Sequence, residues 1–338
     1  MPVYHGSKFL DEAIESILNQ TFTDFEFLII DDESKDNSLD IIRSYDDERV
    51  RLVENKKNLG QASSLNKGIK LACGKYIARM DQDDISIPFR LQKQVEFMEN
   101  NLQVGVCGTW LEYIGHKDGV LCLETEDDLI KIKLLTNQNL AHPTVMIRKS
   151  ILDDYNLMYD GNYSPAEDYD LWDRMFEYCD FANLPEPLVK YRLHEDQGSE
   201  LNAKRQFDNA HEIRRRMIQR MGLRMNPNDL NIHNKIFCGY KHFQITISEA
   251  FNYLSRLNKT NHRNNIYNQV AFDKFIELNW QKFINKFNLR IRYKIPRLIL
   301  LPRTSFWNTR DRVSLIRSYI YQLRILRPLE KLRITRSK

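Results

Sequence analysis

The stretch Tyr76-Ile77-Ala78-Arg79-Met80-Asp81-Gln82-Asp83-Asp84 passes from a short apolar run into three carboxylates within four residues. The apolar part reads as a buried strand. Two unit charges 4 Å apart repel by about 4 kcal/mol at an effective dielectric near 20, so a cluster of this kind calls for a positive partner. Unscreened carboxylates would drive off a diphosphate, whereas a bound divalent cation would recruit one. Asp81 and Asp83 are therefore the candidate metal and nucleotide ligands. A solvated acidic turn is the competing reading, and only the surrounding sequence can decide against it. A calcium loop of the EF-hand kind is excluded, because the positions that need Gly and Glu hold Ser86 and Gln92.

Upstream, Phe9, Leu10, Ala13, Ile14, Ile17 and Leu18 recur at helical spacing behind Ser7, a candidate N-cap. Phe25 to Ile30 is a nearly continuous apolar run, the pattern of a strand buried on both faces, and it also ends in carboxylates, Asp31-Asp32. Ser34 and Asp36 offer caps for a short helix, and Val50 to Val53 reads as the next strand. Asn58-Leu59-Gly60 then turns into a helix bearing Ala62, Leu65, Ile69 and Ala72, with Gly74 as its C-terminal cap. This alternation predicts an α/β fold with a mainly parallel, Rossmann-like sheet and helices on both faces. Ligands of such sheets bind beyond the carboxyl ends of the strands, where both acidic clusters fall.

Downstream, a helix follows Pro88, a strand spans Val104 to Trp110, and Asp118-Gly119 is a hairpin turn. A helix near Asp127 to Leu135 precedes Ala141-His142-Pro143-Thr144 and a strand Val145 to Ile147. Glu167-Asp168-Tyr169-Asp170-Leu171-Trp172 opens another helix, and Pro185 to Leu193 is the last strand, followed by His194. Beyond about residue 200 the pattern turns helical. The expected division is therefore 1–200, carrying the sheet, and 201–338, mainly helical.

The 338 residues suffice for a full core. Five cysteines, odd in number and without a C-x-x-C pair, argue against a disulfide framework or a zinc site and point to a reducing cytoplasm. No basic start followed by an apolar stretch marks a signal peptide, and no run approaches the roughly 18 apolar residues of a membrane span. The net charge of +4 hides an asymmetry: residues 286–338 hold fifteen Lys and Arg against Asp311 and Glu330, leaving the rest at −9.

The series Pro2-Val3-Tyr4, Ser16-Ile17-Leu18-Asn19-Gln20-Thr21-Phe22, Ile30-Asp31-Asp32-x-Ser34-x-Asp36, Asn58-x-Gly60, Asn66-x-Gly68, Gly74-x-Tyr76-Ile77, Asp81-x-Asp83-Asp84 and Glu167-Asp168-x-x-Leu171-Trp172-x-Arg174 resembles glycosyltransferase family 2. Each piece is weak alone; their order and spacing over some 200 residues are specific. The resemblance implies a GT-A fold, a nucleotide-sugar donor, Mn2+ or Mg2+, and inversion at the anomeric carbon by one displacement. By position, Pro2 and Tyr4 match the loop that packs on the base, Asp32 the acceptor for the uracil ring, Asp81 the residue facing the ribose and Asp83 the metal ligand. Asp168 matches the general base. His194 matches a contact to metal or diphosphate, and Glu167 and His142 fall on the acceptor side. For Tyr4 the bland reading is a core aromatic, for Glu167-Asp168 an acidic pair favouring a helix dipole, and for His194 a surface or core histidine.

The chain departs from the family pattern twice. Relatives carry five to eight residues of apolar strand ahead of Pro2-Val3-Tyr4, so the first strand is expected to be short. Glu33 stands where Gly is common.

In the tail, Arg310, Arg317, Arg324 and Lys331 repeat every seven residues beside Val313, Ile316, Ile320 and Leu323. Such a helix suits an anionic membrane surface, as a lipid-linked acceptor would require, and packing on the body of the protein is the alternative. Nucleic acid is not expected as a partner, because the apolar content is high for a phosphate-tracking arm. The resulting expectation is an inverting transferase acting on a saccharide or lipid-linked saccharide in surface-polysaccharide assembly, cytoplasmic and peripheral on the inner membrane face. The alternatives are a catalytically inactive sugar-nucleotide or glycan-binding protein and a nucleotidyltransferase, which would show a Gly-rich basic loop where His5-Gly6-Ser7-Lys8 stands.

Overall fold

The computed structural model describes residues 1–137, 139–195, 202–239 and 245–291. The amphipathic tail positions Arg310 to Lys331 lie outside the described residues. The chain divides into two compact units, Met1–Met217 and Ile218–Lys338.

The first unit opens with three parallel strands, β1 (Pro2–Val3), β2 (Phe27–Asp31) and β3 (Val50–Glu54), in the order β1-β2-β3. Val3 lies opposite Asp31 and Asp31 opposite Glu54, so Tyr4, Asp32 and Asn55 all leave the sheet at one edge. The crossover helices are α1 (Leu10–Leu18) and α2 (Ser38–Ser44), and Leu10, Ile14 and Ile17 of α1 pack with Phe27, Ile29 and Ile42. Helix α1 starts later than Ser7 because the Gly6 carbonyl accepts from the N–H groups of both Phe9 and Leu10, while Ser7 donates its own N–H to Asp36. Helix α3 (Gln61–Leu71) likewise stops at Ala72, whose extended backbone leads into the next strand, rather than at Gly74.

The second sheet is mixed. Its order is β4 (Tyr76–Ala78), β8 (Met146–Arg148), β6 (Val104–Gly115), β9 (Asp180–Leu193) and β5 (Ile85–Ser86), with β7 (Gly119–Leu121) added to β6 as a hairpin. Parallel pairing, expected to predominate, is kept in β1–β3 and between β6 and β9; the other pairs are antiparallel. Antiparallel pairing has a direct consequence for the chemistry. The chain leaving β4 at residue 79 runs beside the chain entering β8 at residues 142–145, and the chain entering β5 at residues 81–84 runs beside the chain leaving β9 at 192–194.

Strand β1 contributes only two residues. Between the β1–β2 edge, α3 and β4 lies an apolar cavity of about 420 Å³, lined by Leu28, Ile30, Leu65, Ile69, Ile77 and Met146 among others. Helices α4 (Arg90–Asn100), α5 (Asp127–Leu134), α6 (Lys149–Asp154) and α7 (Glu167–Met175) complete this unit, and α8 (Ala203–Arg220) runs across the division at Met217.

The second unit contains α9 (Asp229–Phe237), α10 (Ile247–Asn264) and α11 (Gln269–Ile291). Thr246 and Glu249 form a reciprocal capping box at the start of α10, and Tyr253, Leu254, Leu257, Phe272 and Ile276 are buried there. No helix among the described residues is long and apolar enough to cross a membrane.

Candidate active site

The loop that follows β1 is held by the motif that follows β2. Successive backbone N–H groups of His5, Gly6 and Ser7 donate to Ser34 Oγ at 3.0 Å, Ser38 Oγ at 2.9 Å and Asp36 Oδ2 at 3.0 Å. Ser34 and Ser38 thus bind the neighbouring loop, and Asp36 serves both loop and helix, its Oδ1 accepting the Ser38 N–H at 3.2 Å at the start of α2. Asp32, 4% exposed, accepts from Asn55 Nδ2 at 2.8 Å and from the N–H groups of Leu59 and Gly60 at 2.9 and 2.8 Å. A carboxylate has about four acceptor sites, so roughly one remains for a ligand beyond this internal work. Glu33 adopts φ of +70°, the left-handed region that glycine occupies most easily, which accounts for the glycine common there. Tyr4 is 46% exposed and stacked on His5 with ring centroids 4.0 Å apart, which rules out the core-aromatic reading.

Asp81, Asp83 and Asp84 bring carboxylate oxygens within 4.8 Å of one another. Arg79, almost fully buried, forms an ion pair with Asp81. Burial alone would lower the Arg79 pKa, but Asp81 holds it above its ordinary value. Burial pushes the Asp81 carboxyl up against the pull of Arg79, and Asp83 pushes the same way. Asp84 is completely buried and accepts the Arg192 N–H at 2.9 Å on Oδ1, while its Oδ2 has no hydrogen-bond partner. Burial, then Asp81 and Asp83, drive its carboxyl well above the ordinary range. Three close carboxylates, beside an orphaned buried Asp84 oxygen, fit a hard divalent cation such as Mg2+ or Mn2+.

The strand pairing delivers the partners. His194 Nε2 lies 2.9 Å from Asp83 Oδ2, and its ring packs near Phe9 at 5.2 Å between centroids. Arg192 donates Nε–H to the Asp83 carbonyl at 2.9 Å and sits over the Phe9 ring. On the other side, Asp168 and Glu167 open α7, both nearly buried. Asp168 Oδ1 accepts the Tyr169 N–H at 2.8 Å, and Oδ2 lies 3.8 Å from His142 Nδ1. Glu167 Oε2 is buried without a hydrogen-bond partner. Burial, and secondarily Arg79, hold His142 well below its ordinary pKa, so the contact with Asp168 is one of a neutral ring with a carboxylate and not a full ion pair.

Several residues of this constellation were not apparent from the sequence. Gln82, the variable position of Asp81-x-Asp83, accepts the Tyr4 N–H at 2.8 Å and returns a bond to the Tyr4 carbonyl at 3.0 Å. Tyr159 places its hydroxyl 2.9 Å from His142 Nε2. Burial raises the pKa of this hydroxyl, and the charges of Arg79, Asp168, Glu167 and Asp81 also act on it. Asn66 fixes Tyr159 from α3 by accepting its N–H at 2.9 Å and donating to its carbonyl at 2.8 Å. Asn66-x-Gly68 was a motif without a role; the other two carry no local signal.

A short parallel sheet beside a curled mixed one, with carboxylates gathered where the strands end, defines the GT-A fold of glycosyltransferases. The family model for glycosyl transferase family 2 matches residues 1–155. An uncharacterized glycosyltransferase of Haemophilus influenzae is 36% identical over 228 residues, 64% of this chain and 71% of its own length. The O-antigen biosynthesis glycosyltransferase WbnJ of Escherichia coli is 35% identical over 206 residues, 57% of this chain and 78% of its own. The solved structure of S. aureus TarS 1-349 in complex with UDP-GlcNAc aligns with a TM-score of 0.58 at 17% identity, covering 86% of this chain and 90% of that one, and shows the shared fold. The chain belongs to glycosyltransferase family 2.

Proposed function

We propose that the protein is an inverting glycosyltransferase that moves a sugar from a nucleotide-sugar, with UDP as the nucleotide, to a saccharide or lipid-linked saccharide in surface-polysaccharide assembly. The observation that carries this reading is the gathering of the Asp81, Asp83 and Asp84 carboxylates within 4.8 Å of one another where the strands end, with His194 Nε2 2.9 Å from Asp83 Oδ2. A sugar hydroxyl is a poor nucleophile, and Asp168 takes its proton as the new bond forms. Pro2, Tyr4, Asp32 and Asp81 bind the nucleoside, with the exposed Tyr4 ring available to stack on the base. Asp83, with Asp84 and His194 beside it, would hold Mn2+ or Mg2+, which neutralises the charge of the departing diphosphate. His142 and Glu167 line the acceptor side.

The names of relatives support the same direction. One Escherichia coli relative, 30% identical over 172 residues, is a UDP-Glc:alpha-D-GlcNAc-diphosphoundecaprenol beta-1,3-glucosyltransferase. The basic tail would bring the protein to the inner membrane face, where such acceptors reside. A panel of UDP- and other nucleotide-sugars with Mn2+, Mg2+ or chelator tests the reading through release of the nucleoside diphosphate. Release from a UDP-sugar that needs the cation is expected; release that ignores chelator would overturn the metal assignment.

A further inference from the structure

Tyr159 and His142 are 5% and 9% exposed, and their polar atoms meet at 2.9 Å. Burial pushes the phenol up and the imidazole down, so both are neutral and one hydrogen lies between them. Two arrangements satisfy that count. In one, Tyr159 donates to Nε2 and the imidazole hydrogen sits on Nδ1. In the other, Nε2–H donates to the phenol, and the bare Nδ1 lone pair faces Asp168 Oδ2 at 3.8 Å.

The second arrangement is disfavoured twice. It points a lone pair at a carboxylate, and it leaves the phenol hydrogen without an acceptor, since among the described residues the Tyr159 hydroxyl bonds only to His142. We infer that Tyr159 is a positioning residue for the base: its hydroxyl donates to His142 Nε2, fixes the Nδ1–H tautomer, and so turns an N–H toward Asp168. At 3.8 Å this is a charge–dipole contact, not a hydrogen bond, and it biases the carboxylate's orientation while Tyr169 N–H holds Oδ1.

The supporting frame is rigid on each side. Asn66 grips the Tyr159 backbone through both ends of its amide, and Trp172 meets the His142 ring in a T-shaped contact, 6.3 Å between centroids with an interplanar angle of 79°. The Asn66 motif on α3 thereby acts on the base through Tyr159 and His142. The inference rests on the reading of Asp168 as the base, but the tautomer itself does not.

The test uses the full chain with 15N-labelled histidine, the His142 signals being those lost in His142→Asn. The wild type should show a protonated Nδ1 and a bare Nε2, and Tyr159→Phe, which keeps the ring but removes the hydroxyl, should shift that pattern toward Nε2–H. A wild-type Nε2–H tautomer, or one unmoved by Tyr159→Phe, overturns the inference. In turnover, kcat of Tyr159→Phe should fall about tenfold with the donor KM unchanged, the size of one lost hydrogen bond. His142→Asn, whose amide can present an N–H at the Nδ1 position, should retain more activity than His142→Gln. Wild-type turnover in Tyr159→Phe beside an inactive Asp168→Asn overturns the positioning role alone. A fully active Asp168→Asn overturns the base reading, and the tautomer result stands independently.

Discussion

The Gln82 side chain grips the backbone of Tyr4 at both its N–H and its carbonyl, at 2.8 and 3.0 Å. The acidic loop therefore sets the position of the loop after β1, and Gly6 leaves the room for it. A Cβ at Gly6 would lie 2.5 Å from Gln82 Oε1. Gln82→Ala removes two bonds of about 0.5–1.5 kcal/mol each, so the dissociation constant for UDP should rise roughly fivefold to a hundredfold in titration calorimetry. Gly6→Ala should have a similar effect by displacing Gln82, and the double variant should be little worse than either single one, because both break the same tie.

Gly68 lies within α3, and a Cβ there would meet Ile30 Cγ1 at 3.7 Å, an ordinary contact against the apolar cavity. Gly68→Ala should stabilise the protein by about 0.5–1 kcal/mol through helix propensity, raising the melting temperature by roughly 1–2 °C. A lower melting temperature would mean that α3 cannot accept the methyl group.

His142 is pulled below its ordinary 6.5 by burial and then by Arg79. The unfolded chain therefore takes up a proton at a pH where the folded chain does not. The stability from this residue is complete above pH 6.5 and is lost as pH falls from there toward the folded value, at up to about 1.4 kcal/mol per pH unit. Denaturant titrations across that window should show a flatter acid side for His142→Asn, whatever its stability at neutral pH. An unchanged slope would mean that the buried ring titrates normally.

Much of the fold was legible because the first hundred residues obey the grammar of alternating strands and amphipathic helices. The apolar run before Asp31-Asp32 and the helix face of Leu10, Ile14 and Ile17 could be read from periodicity alone. The mixed pairing of the second sheet could not, since Val104 to Gly115 and Asp180 to Leu193 look the same in either pairing direction, and which strand lies beside them is a tertiary choice. Within the site, the carboxylates stood out because charge at the end of a buried run is costly. Gln82 and Tyr159 did not, because each acts on a backbone group or a ring nitrogen distant in sequence and a neutral side chain leaves no pattern of its own; Asn66 stood in a motif, but its grip on the Tyr159 backbone is a tertiary contact. Glu33 reads as an anomaly in sequence and as an ordinary strained position in the structure, with φ of +70°.

Asp168, at the start of α7, is proposed to remove the proton from the acceptor hydroxyl. Asp168→Asn preserves shape while eliminating the base, so UDP-sugar binding followed by titration and transfer followed by UDP release separate the two roles. Donor affinity should stay within about twofold of wild type while transfer falls by roughly a hundredfold or more. Transfer at the wild-type rate in Asp168→Asn would contradict that role.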